Sequence, residues 1–142
     1  MTRETKFWLV KAFEDYLTAK HEISFPEDEI ITTAVCFHSQ QFIEKSLKSL
    51  LIYQGENIPK IHSLSVLKQL CLEKYPSLGK FDVSKLEVYS VGARYADDFF
   101  VPTIDEAKEC FAIAEEFKKE LLSIFGISFQ EVLNWIKQYR NR

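Results

Sequence analysis

Residues 37–48 read FHSQQFIEKSLK, a stretch with helical spacing in which polar side chains are mixed with apolar ones. At about 100° per residue, one face of this helix is mainly apolar and predicts the main core contact. That face is formed by Cys36, Gln40, Ile43, Leu47 and Leu50. A polar stripe lies on roughly the opposite side and consists of His38, Gln41, Lys45 and Lys48. Apolar residues flank this stripe too, so we expect the helix to lie at the centre of a bundle or against a second subunit.

Polar side chains inside such a helix need partners, because lysine and glutamate are almost never buried unpaired. Glu44 and Lys48 are spaced i to i+4, which predicts an ion pair between them. Lys45 requires a carboxylate from another helix. The candidates for that carboxylate are Asp15, Asp97 and Asp98.

The rest of the chain also has helical apolar spacing, and we predict six helices. They cover residues 4–20, 28–54, 63–74, 82–97, 103–125 and 128–139, each to within a few residues. The last two begin with capping boxes, Thr103 to Glu106 and Ser128 to Glu131. Because the connections are short, consecutive helices should pack antiparallel in an all-α bundle.

Length and composition predict one domain over residues 1–142, with 46% hydrophobic and 27% charged residues. The net charge of -3 argues against a strongly basic nucleic-acid surface, so nucleic acid is not favoured, although a local basic patch is compatible with it. The three cysteines, Cys36, Cys71 and Cys110, have no paired spacing and are expected to be buried free thiols. Neither a membrane-length apolar run nor a secretory leader is found, which predicts a cytoplasmic protein.

Four segments together resemble the HEPN family, the higher eukaryote and prokaryote nucleotide-binding domain. The pattern consists of Trp8-x3-Ala12-x2-Asp15-x3-Ala19, FHSQQFIEKSLKSLL at 37–51, Pro59-x2-His62-x-Leu64 and Tyr89-x4-Arg94-Tyr95-x-Asp97. The resemblance covers about residues 7–123, and the extra C-terminal helix at about 128–140 lies beyond it. It implies an up-and-down antiparallel four-helix bundle with additional short helices, which forms a homodimer with a polar cleft. It also implies a small nucleotidyltransferase partner in a toxin-antitoxin pair.

One departure from the family concerns catalysis. HEPN members that cut RNA resemble one another in an arginine followed four to six residues later by a histidine. Here Arg94 is followed by Tyr95, Ala96, Asp97, Asp98 and two phenylalanines, and no histidine occurs after His62. The chain therefore resembles the non-nucleolytic branch, and enzymatic activity is not expected.

The candidate residues for nucleotide or partner binding lie on three of the predicted helices. They are Arg94, Tyr95, Asp97, His38, Gln41, Glu44, Lys45, Lys48 and Asp15. Gln41, Glu44, Lys45 and Lys48 are somewhat more typical of an ion-pair network that holds helices in register than of a substrate site. The guanidinium of Arg94 suits a phosphate, but it suits a carboxylate of this chain just as well. For both histidines the structural interpretation is favoured: His38 as a hydrogen-bonded core or interface residue, and His62 as a cap or packing residue.

Three functions remain open at this point. The first is a dimeric module that binds a nucleotide or a nucleotidyltransferase without cutting RNA. The second is a divergent HEPN RNase toxin that uses Arg94 with His38 or His62, and the third is a purely structural dimer. No glycine-rich phosphate loop, zinc-ligand spacing or serine nucleophile motif is found, so neither a cofactor nor a metal is expected.

Overall fold

The computed structural model describes residues 1–58, 60–89 and 100–141 of the chain. Within these ranges the protein is all-helical and has no strand. Six α-helices occur in the described ranges: α1 Arg3–Ile23, α2 Thr32–Tyr53, α3 Leu64–Leu72, α4 Ser84–Glu87, α5 Ile104–Phe125 and α6 Phe129–Arg140. Short 3-10 turns cover Glu27–Glu29 and Pro76–Lys80. The predicted all-α, HEPN-like bundle is therefore confirmed.

Helix α2 lies at the centre of the bundle. Helices α1, α3, α4 and α5 all pack against it. The predicted core face is fully buried, since Cys36, Gln40, Ile43, Leu47 and Leu50 are all 0% exposed. Of the two positions considered for this helix, the centre of the bundle is the one observed in the described part of the chain, and the chain's own helices provide the cover.

The helix ends follow from local chemistry. Both predicted capping boxes are present, at Thr103 to Glu106 and at Ser128 to Glu131. Gly55 and Gly126 have positive φ values of 88° and 64°, the left-handed conformation that closes a helix without steric cost when the residue is glycine. These residues fix where α2 ends, where α5 begins and ends, and where α6 begins.

Two helix boundaries were predicted wrongly. Helix α2 begins at Thr32 and not near residue 28, because Glu27–Glu29 form a separate 3-10 turn after Pro26. The fourth helix, predicted at 82–97, is short within the described residues and spans Ser84–Glu87. Its N-cap is Val83, and the carboxylate of the preceding Asp82 accepts hydrogen bonds from the backbone and hydroxyl of Ser84. The remainder of that prediction, residues 90–97, lies outside the described residues.

None of the helices within the described ranges is long and apolar enough to cross a membrane. All three thiols are buried and free, as predicted.

Candidate functional site

The polar stripe of α2 is divided between two carboxylates. The first, Asp15, projects from α1 and binds two side chains of α2 at once. Its Oδ1 lies 2.6 Å from Nδ1 of His38, and its Oδ2 accepts a hydrogen bond of 2.6 Å from Nζ of Lys45. We call these three residues the Asp15 cluster. It joins α1 to α2 through a carboxylate that uses both of its oxygens.

The second carboxylate, Glu44, belongs to α2 itself. Its Oε2 accepts a hydrogen bond of 3.2 Å from Nζ of Lys48 and lies 3.1 Å from Nδ1 of His62, in the loop before α3. Its Oε1 accepts from the amide of Gln40 at 3.2 Å, and the amide oxygen of Gln40 accepts in turn from Gln41 at 2.7 Å. We call these five residues the Glu44 cluster.

The two clusters differ in their access to water. The side chains of Lys48 and Glu44 are only 7% and 6% exposed, so their charges are buried against each other. Nζ of Lys48 also lies 5.8 Å from the ring centre of Trp8, which covers it from α1. By contrast, His38 and Lys45 are 28% and 24% exposed. Of the two lysine-carboxylate pairs, the one between Lys45 and Asp15 is therefore the more accessible to a dissolved ligand, while in the Glu44 cluster it is His62, 74% exposed, that faces water.

Both ion pairs inferred from the sequence are present in the structure. Glu44 pairs with Lys48, and Lys45 pairs with Asp15, which is one of its three candidate partners. Of the predicted site residues, Asp15, His38 and Lys45 meet in one cluster and Gln41, Glu44 and Lys48 in the other. The predicted candidates Arg94, Tyr95 and Asp97 lie outside the described residues, as does Pro59 of the family pattern. Their assignment to the site stays a prediction.

Three members of this region were not among the predicted site residues. Gln40 was assigned to the core face, yet its buried amide connects Gln41 to Glu44. His62 was interpreted as a cap or packing residue, and Trp8 was noted only as part of the family pattern. The spacing of Gln40 and Glu44, i to i+4, could have indicated their hydrogen bond. No local signal places His62 or Trp8 there, because both reach the site through tertiary packing.

Other chemistry is not supported by the described residues. No group of three or more histidine, cysteine or acidic side chains is arranged to hold a metal within these ranges. Burial, reinforced by the negative charge of Glu56, raises the pKa of the Cys71 thiol to about 12, which makes it a poor nucleophile near neutral pH. The pKa of the Cys110 thiol is also raised, first by its hydrogen bond with Cys36 and then by burial.

The central helix of this all-α bundle carries one carboxylate, one histidine and two lysines, and Asp15 from α1 and His62 from the loop before α3 reach them, so the fold is a helical bundle with a polar site along one helix. Comparison with family models identifies the protein family. The HEPN domain family model matches residues 5–124, most of the chain, and the chain therefore belongs to the HEPN domain family. Neither the curated proteins nor the solved structures gave a match.

Proposed function

We propose that this chain is a non-nucleolytic HEPN module that binds the phosphate of a nucleotide at the Asp15 cluster. Membership of the family supports a nucleotide-binding or RNase-like helical module in general terms. The particular ligand position rests on the Asp15 cluster, which combines a lysine and a histidine on one solvent-accessible side of α2. In an alternative form of the proposal, the same side chains bind a small nucleotidyltransferase of a toxin-antitoxin pair.

One observation carries this proposal: a single carboxylate holds both His38 and Lys45 in place, and within the described residues it occupies only one of the donors of Lys45. A lysine ammonium has three protons, and the hydrogen bond to Asp15 occupies one. Asp15 binds His38 at Nδ1, so Nε2 is the ring nitrogen that remains for a ligand. Because the side chains are already ordered, a phosphate binds without the full entropic cost of immobilising them. Arg94 is the further candidate for a bidentate phosphate contact.

The absence of cleavage follows from the number and position of the histidines. The chain has three, His21, His38 and His62, and all precede Arg94. In HEPN members that cut RNA, an arginine stabilises the phosphate and a following histidine transfers the proton. Proton transfer by such a group typically contributes a factor of about 10² to 10⁴ in rate. Phe99 and Phe100 occupy two of the three positions where that histidine would fall. Phenylalanine can neither donate nor accept the proton.

We further propose that the module works as a homodimer. The apolar sides of α2 do not themselves require a second subunit, because the chain's own helices cover α2. The proposal now rests on the family resemblance and on exposed apolar side chains at the two borders of the segment 90–99. Val88, Phe100 and Val101 are 56%, 51% and 72% exposed. A dimer that covers them should show twice the chain mass of 16.6 kDa in light scattering at micromolar concentration, whereas the monomer mass alone would refute it.

A second candidate function, a divergent RNase, is favoured by one specific observation. The 2.6 Å contact between Asp15 and His38 resembles the carboxylate-histidine pairs that orient a general base. In this case His38 would transfer the proton and Arg94 would bind the scissile phosphate. The Asp15 cluster would then be a catalytic site and not only a binding site.

An RNA cleavage assay separates the two functions. Purified protein would be incubated with single-stranded RNA and with tRNA in the presence of EDTA, which inhibits contaminating nucleases that need a metal ion. We expect no cleavage above background, and no change when His38 or His62 is replaced by alanine. Cleavage that disappears in both Arg94→Ala and His38→Ala would reject the non-nucleolytic proposal and establish the divergent RNase.

A further inference from the structure

The C-terminal helix α6 begins at Phe129, beyond residues 5–124 that match the family. It packs along α1, with Phe129 at its start against Phe13 and Tyr16 and Tyr139 near its end against Phe7. The rings of Phe7 and Tyr139 lie 6.0 Å apart, and Nζ of Lys6 lies 4.9 Å from the ring centre of Trp135. These contacts fix α6 beside α1 and create a surface that the family pattern does not account for.

A groove of about 850 Å³ runs between the two helices. We call it the α1–α6 groove, and its lining residues are Arg3, Glu4, Phe7, Val10, Lys11, Glu14, Ile136, Tyr139 and Arg140. A second depression of about 340 Å³ shares Arg3 and Tyr139 with it and adds Lys6. The buried side chain of Val10 gives the groove an apolar floor, while Phe7, 44% exposed, presents an aromatic face beside it.

The charge of this surface is opposite to that of the whole chain. Arg3, Lys6, Lys11 and Arg140 line the two depressions, against the two glutamates Glu4 and Glu14. The whole chain, by contrast, has 21 acidic and 18 basic residues. Lys11 pairs with Glu14 at 3.1 Å, a contact between side chains that are about half exposed and therefore only weakly coupled. Within residues 1–58, 60–89 and 100–141, neither Arg3 nor Arg140 forms an ion pair with a carboxylate.

We propose that the α1–α6 groove binds single-stranded nucleic acid. Proteins bind such strands with a positive groove that follows the phosphates and with aromatic rings on which bases stack. Arg3 and Arg140 supply guanidinium groups suited to phosphate, and Phe7 supplies a ring for stacking over an apolar floor. A second copy of this chain fits less well, because a two-fold contact would place the basic surface against itself. The net charge hides this surface, since it averages a local basic patch with an acidic remainder.

This inference is independent of the proposed function, because no residue of the groove belongs to the Asp15 cluster or to the Glu44 cluster. The test is fluorescence anisotropy of a labelled twelve-nucleotide oligouridine titrated with full-length protein at 50 mM and 200 mM salt. We expect saturable binding that weakens with salt as counterions are released from the strand.

Variants locate the binding surface. The pair Arg3→Gln and Arg140→Gln should weaken binding by about tenfold for each guanidinium removed. It should also lower the logarithmic salt slope by about 0.7 for each lost phosphate contact. Phe7→Leu should weaken binding about tenfold by removing a stacking ring while retaining an apolar side chain. Lys119→Gln is the matched control, because Lys119 is exposed on α5 and pairs only with Glu116 in the described part of the chain.

Several results would overturn the inference. The first is the absence of binding at 50 mM salt. The second is a loss of affinity in Lys119→Gln as large as the loss in the double arginine variant. A third is displacement of the oligonucleotide by polyglutamate at equal charge concentration, which would indicate a general anion surface and an acidic protein partner. Circular dichroism of each variant should match the unsubstituted protein, since all four positions are at the surface.

Discussion

The Asp15 and Glu44 clusters both involve α2 and are built from similar residue types, but their lysine-carboxylate pairs differ in solvent exposure. In the Glu44 cluster, the side chain of Lys48 is 7% exposed and that of Glu44 is 6% exposed, so both charges are largely shielded from water. In the Asp15 cluster, His38 and Lys45 remain about a quarter exposed, at 28% and 24%. Removing one partner of a buried ion pair strongly destabilises the fold, because the other charge is left unpaired away from water. In an accessible pair, a ligand can take the place of one partner. We therefore propose that the Glu44 cluster is a structural network and that the Asp15 cluster is the binding site.

The largest effect is expected from Glu44→Ala. It leaves Lys48 as an unpaired buried charge and removes the acceptor of Gln40, so the free energy of unfolding should fall by about 3–5 kcal/mol. Urea unfolding at a fixed protein concentration measures this loss. Glu116→Ala is the control, because that exposed glutamate should contribute less than about 0.5 kcal/mol. A loss below about 1 kcal/mol for Glu44→Ala would show that the Glu44 cluster is not structural.

A smaller loss is expected from Asp15→Ala, although this removes two contacts from α2. His38 and Lys45 can turn to water when Asp15 is absent, so the free energy of unfolding should fall by about 1–2 kcal/mol. The same urea experiment provides the comparison. If Asp15→Ala destabilises the protein as much as Glu44→Ala does, the proposed difference between the clusters is wrong.

Double-mutant cycles sharpen the same comparison by isolating each pair. We expect a coupling energy of about 2 kcal/mol between Glu44 and Lys48, measured with Glu44→Gln and Lys48→Met. For Asp15 and Lys45, measured with Asp15→Asn and Lys45→Met, we expect about 1 kcal/mol or less. The methionine substitutions retain the length of the lysine side chain, which limits loss of packing. Equal coupling energies would remove the distinction.

The smallest effect should come from His62→Ala. Although His62 contacts the buried Glu44, its side chain is 74% exposed. Glu44 retains Lys48 and Gln40 as donors, so the free energy of unfolding should change by less than about 0.5 kcal/mol. A loss above about 1 kcal/mol in urea unfolding would mean that His62 is an essential part of the Glu44 cluster.

Much of the fold was predictable because it depends on local chemistry. The capping boxes at Thr103 and Ser128 and the apolar spacing of α5 and α6 set those helices without reference to the rest of the chain. The boundaries that failed depend on turns. The observed start of α2 differs from the predicted one because the residues after Pro26 form a 3-10 turn, which apolar periodicity does not distinguish from an α-helix.

The candidate site was predictable to a different extent. The pair Glu44 and Lys48 follows from helical spacing alone. A carboxylate partner for Lys45 could be predicted because a half-buried lysine needs one, but the sequence left three candidates for it. Which candidate is used depends on how α1 crosses α2, and this is a tertiary property. The contacts of His62 and Trp8 have the same origin, and the basic α1–α6 groove is likewise formed by residues distant in sequence.

Isothermal titration calorimetry with ATP and with GTP tests the central claim most directly. The claim is that the Asp15 cluster binds a nucleotide phosphate. We predict saturable heat for at least one of the two nucleotides, and an affinity about tenfold lower in Lys45→Gln, because a charge-assisted hydrogen bond to the phosphate is lost. Lys119→Gln, at an exposed position on α5, should bind as the unsubstituted protein does. Absence of heat with both nucleotides, or equal affinity in Lys45→Gln, would contradict the account.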